Sequence, residues 1–155
     1  MQSFDPESSA DASGATSVIV VGVDGSQASK DALRWAARPA RLTSAELRVI
    51  MAWRQPVSYG YTAEYSDVDF EAEALTLLGQ IVDEVIGTGD SLPIRRETRQ
   101  GHPAQVLVAE SEGADLLVVG SRGHGAFAGM LLGSTSQHCV QHATVPVTVV
   151  DHGTN

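Results

Sequence analysis

Hydrophobic positions along this chain fall into two alternating kinds of run. Val18-Ile19-Val20-Val21-Gly22-Val23 is continuous, apolar and β-branched, the pattern of a strand buried on both faces in a parallel sheet. Asp24-Gly25-Ser26 interrupts it, and Ser26 is placed to N-cap a helix whose broad apolar side carries Ala28, Ala32, Leu33, Trp35, Ala36 and Ala40. Leu47-Arg48-Val49-Ile50-Met51-Ala52-Trp53 predicts a second strand. Arg54 to Ser66, with Pro56, Gly60 and tyrosines 59, 61 and 65, reads as a loop. Ser66-Asp67-Val68-Asp69 has the spacing of a capping box, with Asp in place of Glu. Behind it Phe70, Ala74, Leu77, Leu78, Ile81 and Val85 recur at three and four residues, an amphipathic helix that ends at Gly87.

The second half repeats the alternation. Residues 93–100 form a short charged strand suited to a sheet edge, where polar side chains reach water. Gly101-His102 turns into Pro103, which opens a third helix carrying Val106, Leu107 and Ala109. Asp115-Leu116-Leu117-Val118-Val119-Gly120 is a fourth strand, followed by a glycine-rich segment and a helix from about Ser134 to Ala143. The last strand is Val145-Pro146-Val147-Thr148-Val149-Val150. Pro146 cannot donate to a ladder, so that strand starts at, or lies along, an edge. Together these elements predict an α/β fold: an open, doubly wound, five-stranded, mostly parallel, Rossmann-like sheet, strand order 3-2-1-4-5, with helices on both faces. Ligands of such sheets sit beyond the carboxyl ends of the strands, where strand order reverses. The positions to examine are Asp24, Ala52 to Trp53, and Gly120 onward.

Composition narrows the classes. The 155 residues suit one core, with 43% hydrophobic residues and no collagen-like period. The expected organisation is a disordered lead-in over 1–16, one α/β domain over 17–151 and a tail over 152–155. Cys139 is the single cysteine, which rules out an internal disulfide and a four-thiolate zinc site. No apolar run approaches the roughly 20 residues that cross a bilayer, and Met1 to Ser17 lacks the basic start and apolar stretch of a signal peptide. A soluble cytoplasmic protein without a membrane partner is expected. The net charge is −9. The one dense basic patch, Arg95, Arg96 and Arg99, is divided between two faces of an extended strand, which argues against nucleic-acid binding. The acids between Arg54 and Glu73 read as a solvated helix start.

Gly120-Ser121-Arg122-Gly123-His124-Gly125-Ala126-Phe127-Ala128-Gly129-Met130-Leu131-Leu132-Gly133-Ser134-Thr135-Ser136 carries the chemistry. It begins at a strand end and finishes at a helix start, where glycines admit close approach and free N–H groups point at an anion. Three hydroxyls, Ser134, Thr135 and Ser136, lie in the first helical turn, and Arg122 adds a guanidinium fork. A Walker A loop needs a lysine after its glycine, and the sole lysine is Lys30. G-x-G-x-x-G fails because Gly129 stands one residue too far from Gly125, and no G-x-S-x-G elbow occurs. What does match is G-x-x-G, nine residues, then G-Ser/Thr, at Gly120, Gly123, Gly133 and Ser134. Chance gives roughly 0.02 such matches in a chain of this composition.

With Val-Gly-Val-Asp-Gly-Ser after the first strand, Leu-Leu-Val-Val-Gly-Ser-Arg-Gly-His-Gly at the fourth and Val-Pro-Val-Thr-Val-Val at the end, the chain from about Val18 to Val150 resembles the ATP-binding subclass of the universal stress protein family. The resemblance implies that the spaced glycines wrap a triphosphate. Asp24 would hold ribose or adenine, and Gly22 would lie against the base. The backbone at Ala52 and Trp53 would line the adenine slot, with Val119 beneath it. Gly120, Arg122, Gly123, Gly133, Ser134, Thr135 and Ser136 would hold the phosphates. Trp53 is a departure, a bulky side chain where a purine must enter. The resemblance also implies ATP with Mg²⁺, a homodimer through the last strand, and a regulatory module with at most slow hydrolysis. With no evident general base and no lysine at the cradle, rapid turnover is not expected. The alternative is a nucleotide-processing enzyme, adenylyl- or phosphoryl-transferring, on a related α/β scaffold; the H-x-G-H-like signature of nucleotidyl transferases has no histidine to supply it at Asp24-Gly25-Ser26. A third reading is an interaction protein with an empty loop. Asp24 also reads as a simple cap, and the glycines as turn punctuation. His138 and His142 share a helical face, but Cys139 points about 100° away from His138 and no third metal ligand is fixed; their expected role is structural.

Overall fold

The computed structural model describes residues 16–56, 68–122 and 132–151. In chain order the elements are β1 (Val18–Gly22), α1 (Gln27–Thr43), β2 (Glu46–Trp53), α2 (Phe70–Val85), β3 (Ile94–Gln100), α3 (Pro103–Glu110), β4 (Leu116–Gly120), α4 (Ser134–His142) and β5 (Val147–Val150). The expected lead-in, the tyrosine-bearing loop and most of the glycine-rich segment lie outside the described residues.

Every strand pairing is parallel, and the order is β3-β2-β1-β4-β5. The apolar runs of β1 and β4 form its centre because neither of their faces meets water. Side chains alternate between two cores. Ile19, Val21, Leu47, Val49, Met51 and Val118 point to α1 and α2, where Leu33, Leu78, Ile81 and Val82 meet them. Val20, Ile50, Leu117 and Val119 point the other way, to Leu107 of α3 and Cys139 of α4. The charged strand β3 is an edge, as its composition requires: Arg96 reaches Asp83 of α2 at 3.0 Å, and Arg99 reaches Glu110 of α3 at 2.9 Å. The basic patch is therefore split across the sheet and neutralised on each side.

Ser26 caps α1 by accepting the Ser29 N–H. Ser66 and Asp67 of the expected capping box lie outside the described residues; Asp69 is itself the N-cap of α2 and accepts the Ala72 N–H at 3.0 Å. An aspartate at the cap also meets the positive end of the helix dipole. Asp69→Ala is expected to cost about 1 kcal/mol, read as a lowered denaturant midpoint with unchanged slope. Trp35 is a second correction. It stands at the edge of the α1 stripe and is 37% exposed, while Ala37 is buried instead. The buried stripe of α1 is almost entirely alanine, which lets the helix lie close on the strands.

Candidate functional site

In a parallel sheet all strands finish on the same side, so Asp24, Trp53 and Gly120 emerge at one edge. Strand order reverses between β1 and β4, and two close contacts define that crevice. A Cβ on Gly120 would stand 2.8 Å from the backbone carbon and oxygen of Ala28, in the first turn of α1. A Cβ on Gly22 would stand 2.5 Å from Leu107 Cδ1, so the Leu107 side chain of α3 packs closely on Gly22. Both glycines are needed for helices to seat at the carboxyl ends of β1 and β4.

Asp24 begins the turn into α1. Its Oδ1 accepts the Ser26 N–H at 2.9 Å, and its own N–H donates to Ser29 Oγ at 3.2 Å. The Ser29 hydroxyl donates in turn to the Ser26 carbonyl at 2.9 Å. This network fixes the carboxylate at the head of α1, beside the Gly120 contact. β2 runs three residues past the Gly22–Ile50 pair, which carries Ala52 and Trp53 outward along the same edge. The Trp53 carbonyl accepts the Gly101 N–H at 2.9 Å, while its ring packs onto the core shared with α1 and α2. Trp53 Nε1 is buried without a hydrogen-bond partner; the other such atom among the described residues is Arg48 Nε, lower on the same strand. An unpaired buried donor costs roughly 1–3 kcal/mol. Val119 is buried among Leu107 and Cys139, one position below the strand end.

The phosphate-cradle residues divide by environment. Arg122 and Ser134 are exposed and Thr135 is half-buried, whereas Ser136 is 2% exposed. Ser136 Oγ lies 3.0 Å from the carbonyl oxygens of both Ser121 and Gly133, so its hydroxyl is turned to the base of the loop. Gly133 is the N-cap of α4, and its N–H donates to the Ser121 carbonyl at 2.6 Å. Side chains cap the other helices, Ser26 for α1, Asp69 for α2 and His102 for α3, but among the described residues none caps α4, whose N-cap is Gly133. The opening amides of α4 therefore keep the donor capacity that every helix start presents. Gly123 lies outside the described residues.

Two features escaped sequence reasoning. His102, read as part of a turn, caps α3 through Nδ1, which accepts the Ala104 N–H at 3.2 Å; histidine carries no strong capping signal. Ser121, to which the sequence assigned no role, bonds to Val150, Asp151, Gly133 and Ser136.

No group of three or more metal-capable side chains occurs among the described residues. His138 and His142 stack on each other with ring centroids 4.4 Å apart. Cys139 is fully buried, and that burial pushes its thiol up to about 11. The folded state thus favours the neutral thiol above the unfolded chain's value. The associated stability is complete below that lower value and fades as pH rises through about 11. A thiol reagent at neutral pH should label Cys139 slowly in native protein and rapidly in denaturant. Equal rates would place the thiol at the surface.

Among the described residues no helix is long and apolar enough to cross a membrane. The universal stress protein family model matches residues 16–151. A universal stress protein of Mycolicibacterium smegmatis is 36% identical over 143 residues, covering 87% of this chain and 48% of that protein. The chain spans about half the length of the curated relatives it matches. Universal stress protein UspA from Lactobacillus plantarum superposes with a TM-score of 0.71 at 24% identity, covering 88% of this chain and 99% of its own. A universal stress protein solved in complex with cAMP gives a TM-score of 0.65 at 28% identity, covering 88% and 98%. The parallel sheet in order 3-2-1-4-5, the spaced glycines and the family match over residues 16–151 agree: this chain belongs to the universal stress protein family.

Proposed function

We propose that the chain is an ATP-binding regulatory module, holding ATP with Mg²⁺ at the β1–β4 crevice and hydrolysing it slowly or not at all. The observation that carries the reading is the start of α4. It has no side-chain cap, it is fixed to the end of β4, and it closes a G-x-x-G-x₉-G-Ser segment. A ligand phosphate supplies the acceptors that such amides lack. Ser134 and Thr135 would donate hydroxyls to it, and Arg122 would add a charge-assisted bond. The unpaired Trp53 donor and the anchored Asp24 fit a purine nucleoside along the ends of β2 and β1. The adenine nucleotide held by the cAMP-bound relative supports the same ligand class. The bound triphosphate supplies polyanionic charge, and Mg²⁺ would offset part of it. Ser136 enters this reading as a residue that holds the loop base.

Pairing of two copies through β5 belongs to the same proposal. β5 is an edge strand of four half-buried residues, and an unpaired edge can extend its ladder into a second chain. A cytoplasmic location and a domain over 17–151 complete it.

The test is calorimetry on purified protein with ATP, ADP, AMP, cAMP and adenosine, with and without Mg²⁺. ATP binding several-fold tighter than adenosine is expected. No heat with any nucleotide, and none released on denaturation, would remove the reading.

A further inference from the structure

Ser121 is 3% exposed and makes bonds in four directions. Its N–H donates to the Val150 carbonyl at 2.8 Å, continuing the β4–β5 ladder one residue past the end of β4. Its carbonyl accepts the Gly133 N–H at 2.6 Å and lies 3.0 Å from Ser136 Oγ. Its hydroxyl donates to Asp151 Oδ1 at 2.8 Å. The glycine-rich excursion thus leaves and returns at one buried residue, and that residue is tied to the carboxylate just beyond β5.

Resting on the nucleotide reading above, we infer that Asp151, acting through Ser121, is a positioning residue for the polyphosphate site. The carboxylate fixes the Ser121 hydroxyl, the hydroxyl fixes the residue whose carbonyl holds the Gly133 N–H, and Gly133 opens α4. Rotation of the Ser121 peptide would carry the first turn of α4 with it, and anion binding by amides depends on their aim. An acidic side chain is a surprising neighbour for a phosphate cradle, since its bare charge opposes a second anion. Its engagement by a serine hydroxyl makes it an anchor for the loop base.

That opposition gives the test its sign. ATP and adenosine affinities are measured by calorimetry for the wild type, Asp151→Ala, Asp151→Asn, Ser121→Ala and the double variant Ser121→Ala/Asp151→Ala. A positioning role predicts that Asp151→Ala weakens ATP about three- to tenfold, the scale of one lost hydrogen bond, and leaves adenosine nearly unchanged. Ser121→Ala should do the same, the double variant should be no worse than either single one, and Asp151→Asn, which keeps an acceptor oxygen, should restore binding. Tighter ATP binding in Asp151→Ala would reduce the residue to a repelling charge and overturn the inference. Equal losses for ATP and adenosine, tracking a lowered melting temperature, would overturn it by making the pair merely structural. A wild type that binds adenosine no more weakly than ATP, or neither ligand, removes the polyphosphate reading and the positioning role with it.

Discussion

Replacing Gly120 with alanine is expected to destabilise the protein by about 1–3 kcal/mol, the cost of overpacking a well-filled site. The added methyl would stand 2.8 Å from the Ala28 backbone carbon and oxygen and 3.0 Å from its Cβ. None of these atoms belongs to a side chain that can rotate away, so α1 or β4 must shift as a unit. Gly22→Ala is the internal control. The three atoms nearest its new methyl all belong to the Leu107 side chain, the closest at 2.5 Å, and a leucine can change rotamer. Thermal melts should therefore rank wild type above Gly22→Ala, and Gly22→Ala above Gly120→Ala. The reverse order would mean that Leu107 is the more rigid wall. Since α1 starts beside Asp24, the Gly120 variant should also weaken any ligand held at the crevice.

The sheet was legible because its strands are buried on both faces. Val18 to Val21 and Leu116 to Val119 carry no polar alternation, and only a parallel, covered sheet accommodates that. β3 was legible for the opposite reason, since its arginines and glutamate need water or partners. Trp35 misled the reading of α1 because it lies next to the apolar stripe, where one helical step decides between core and solvent. The roles of Gly22 and Gly120 were half legible. Spacing marked Gly120 as the strand-end glycine that opens the phosphate motif, but its close approach to Ala28 joins segments far apart in sequence, and no local pattern announces it. Ser121 had no signal at all. Serine is common between glycines, and its significance lies in Val150, Asp151 and Gly133 converging on it. The N-cap of α2 was misplaced for a simpler reason: Asp69 also satisfies the cap rule, three residues nearer the first apolar position.

The cradle residues that face solvent set the second large effect. Arg122→Ala is expected to weaken ATP at least tenfold while leaving adenosine within about twofold, because charge-assisted hydrogen bonds are worth roughly 1.5–3 kcal/mol. Arg122 follows the buried Ser121 and is itself exposed, so its removal opens no cavity and strands no buried partner among the described residues. Loss of stability is therefore not the expected cause, and the variant's melting temperature should stay within about a degree of the wild type. Raising salt should shrink the wild type's preference for ATP over adenosine, since screening acts on exposed charge. The variant's smaller preference should respond less. The acidic balance of the chain, −9 in all, sharpens this expectation: polyanion binding to a negatively charged protein depends on the few cations placed at the site. If Arg122→Ala binds ATP like the wild type, the amides and hydroxyls of α4 hold the phosphates unaided, and the guanidinium belongs to the solvated surface.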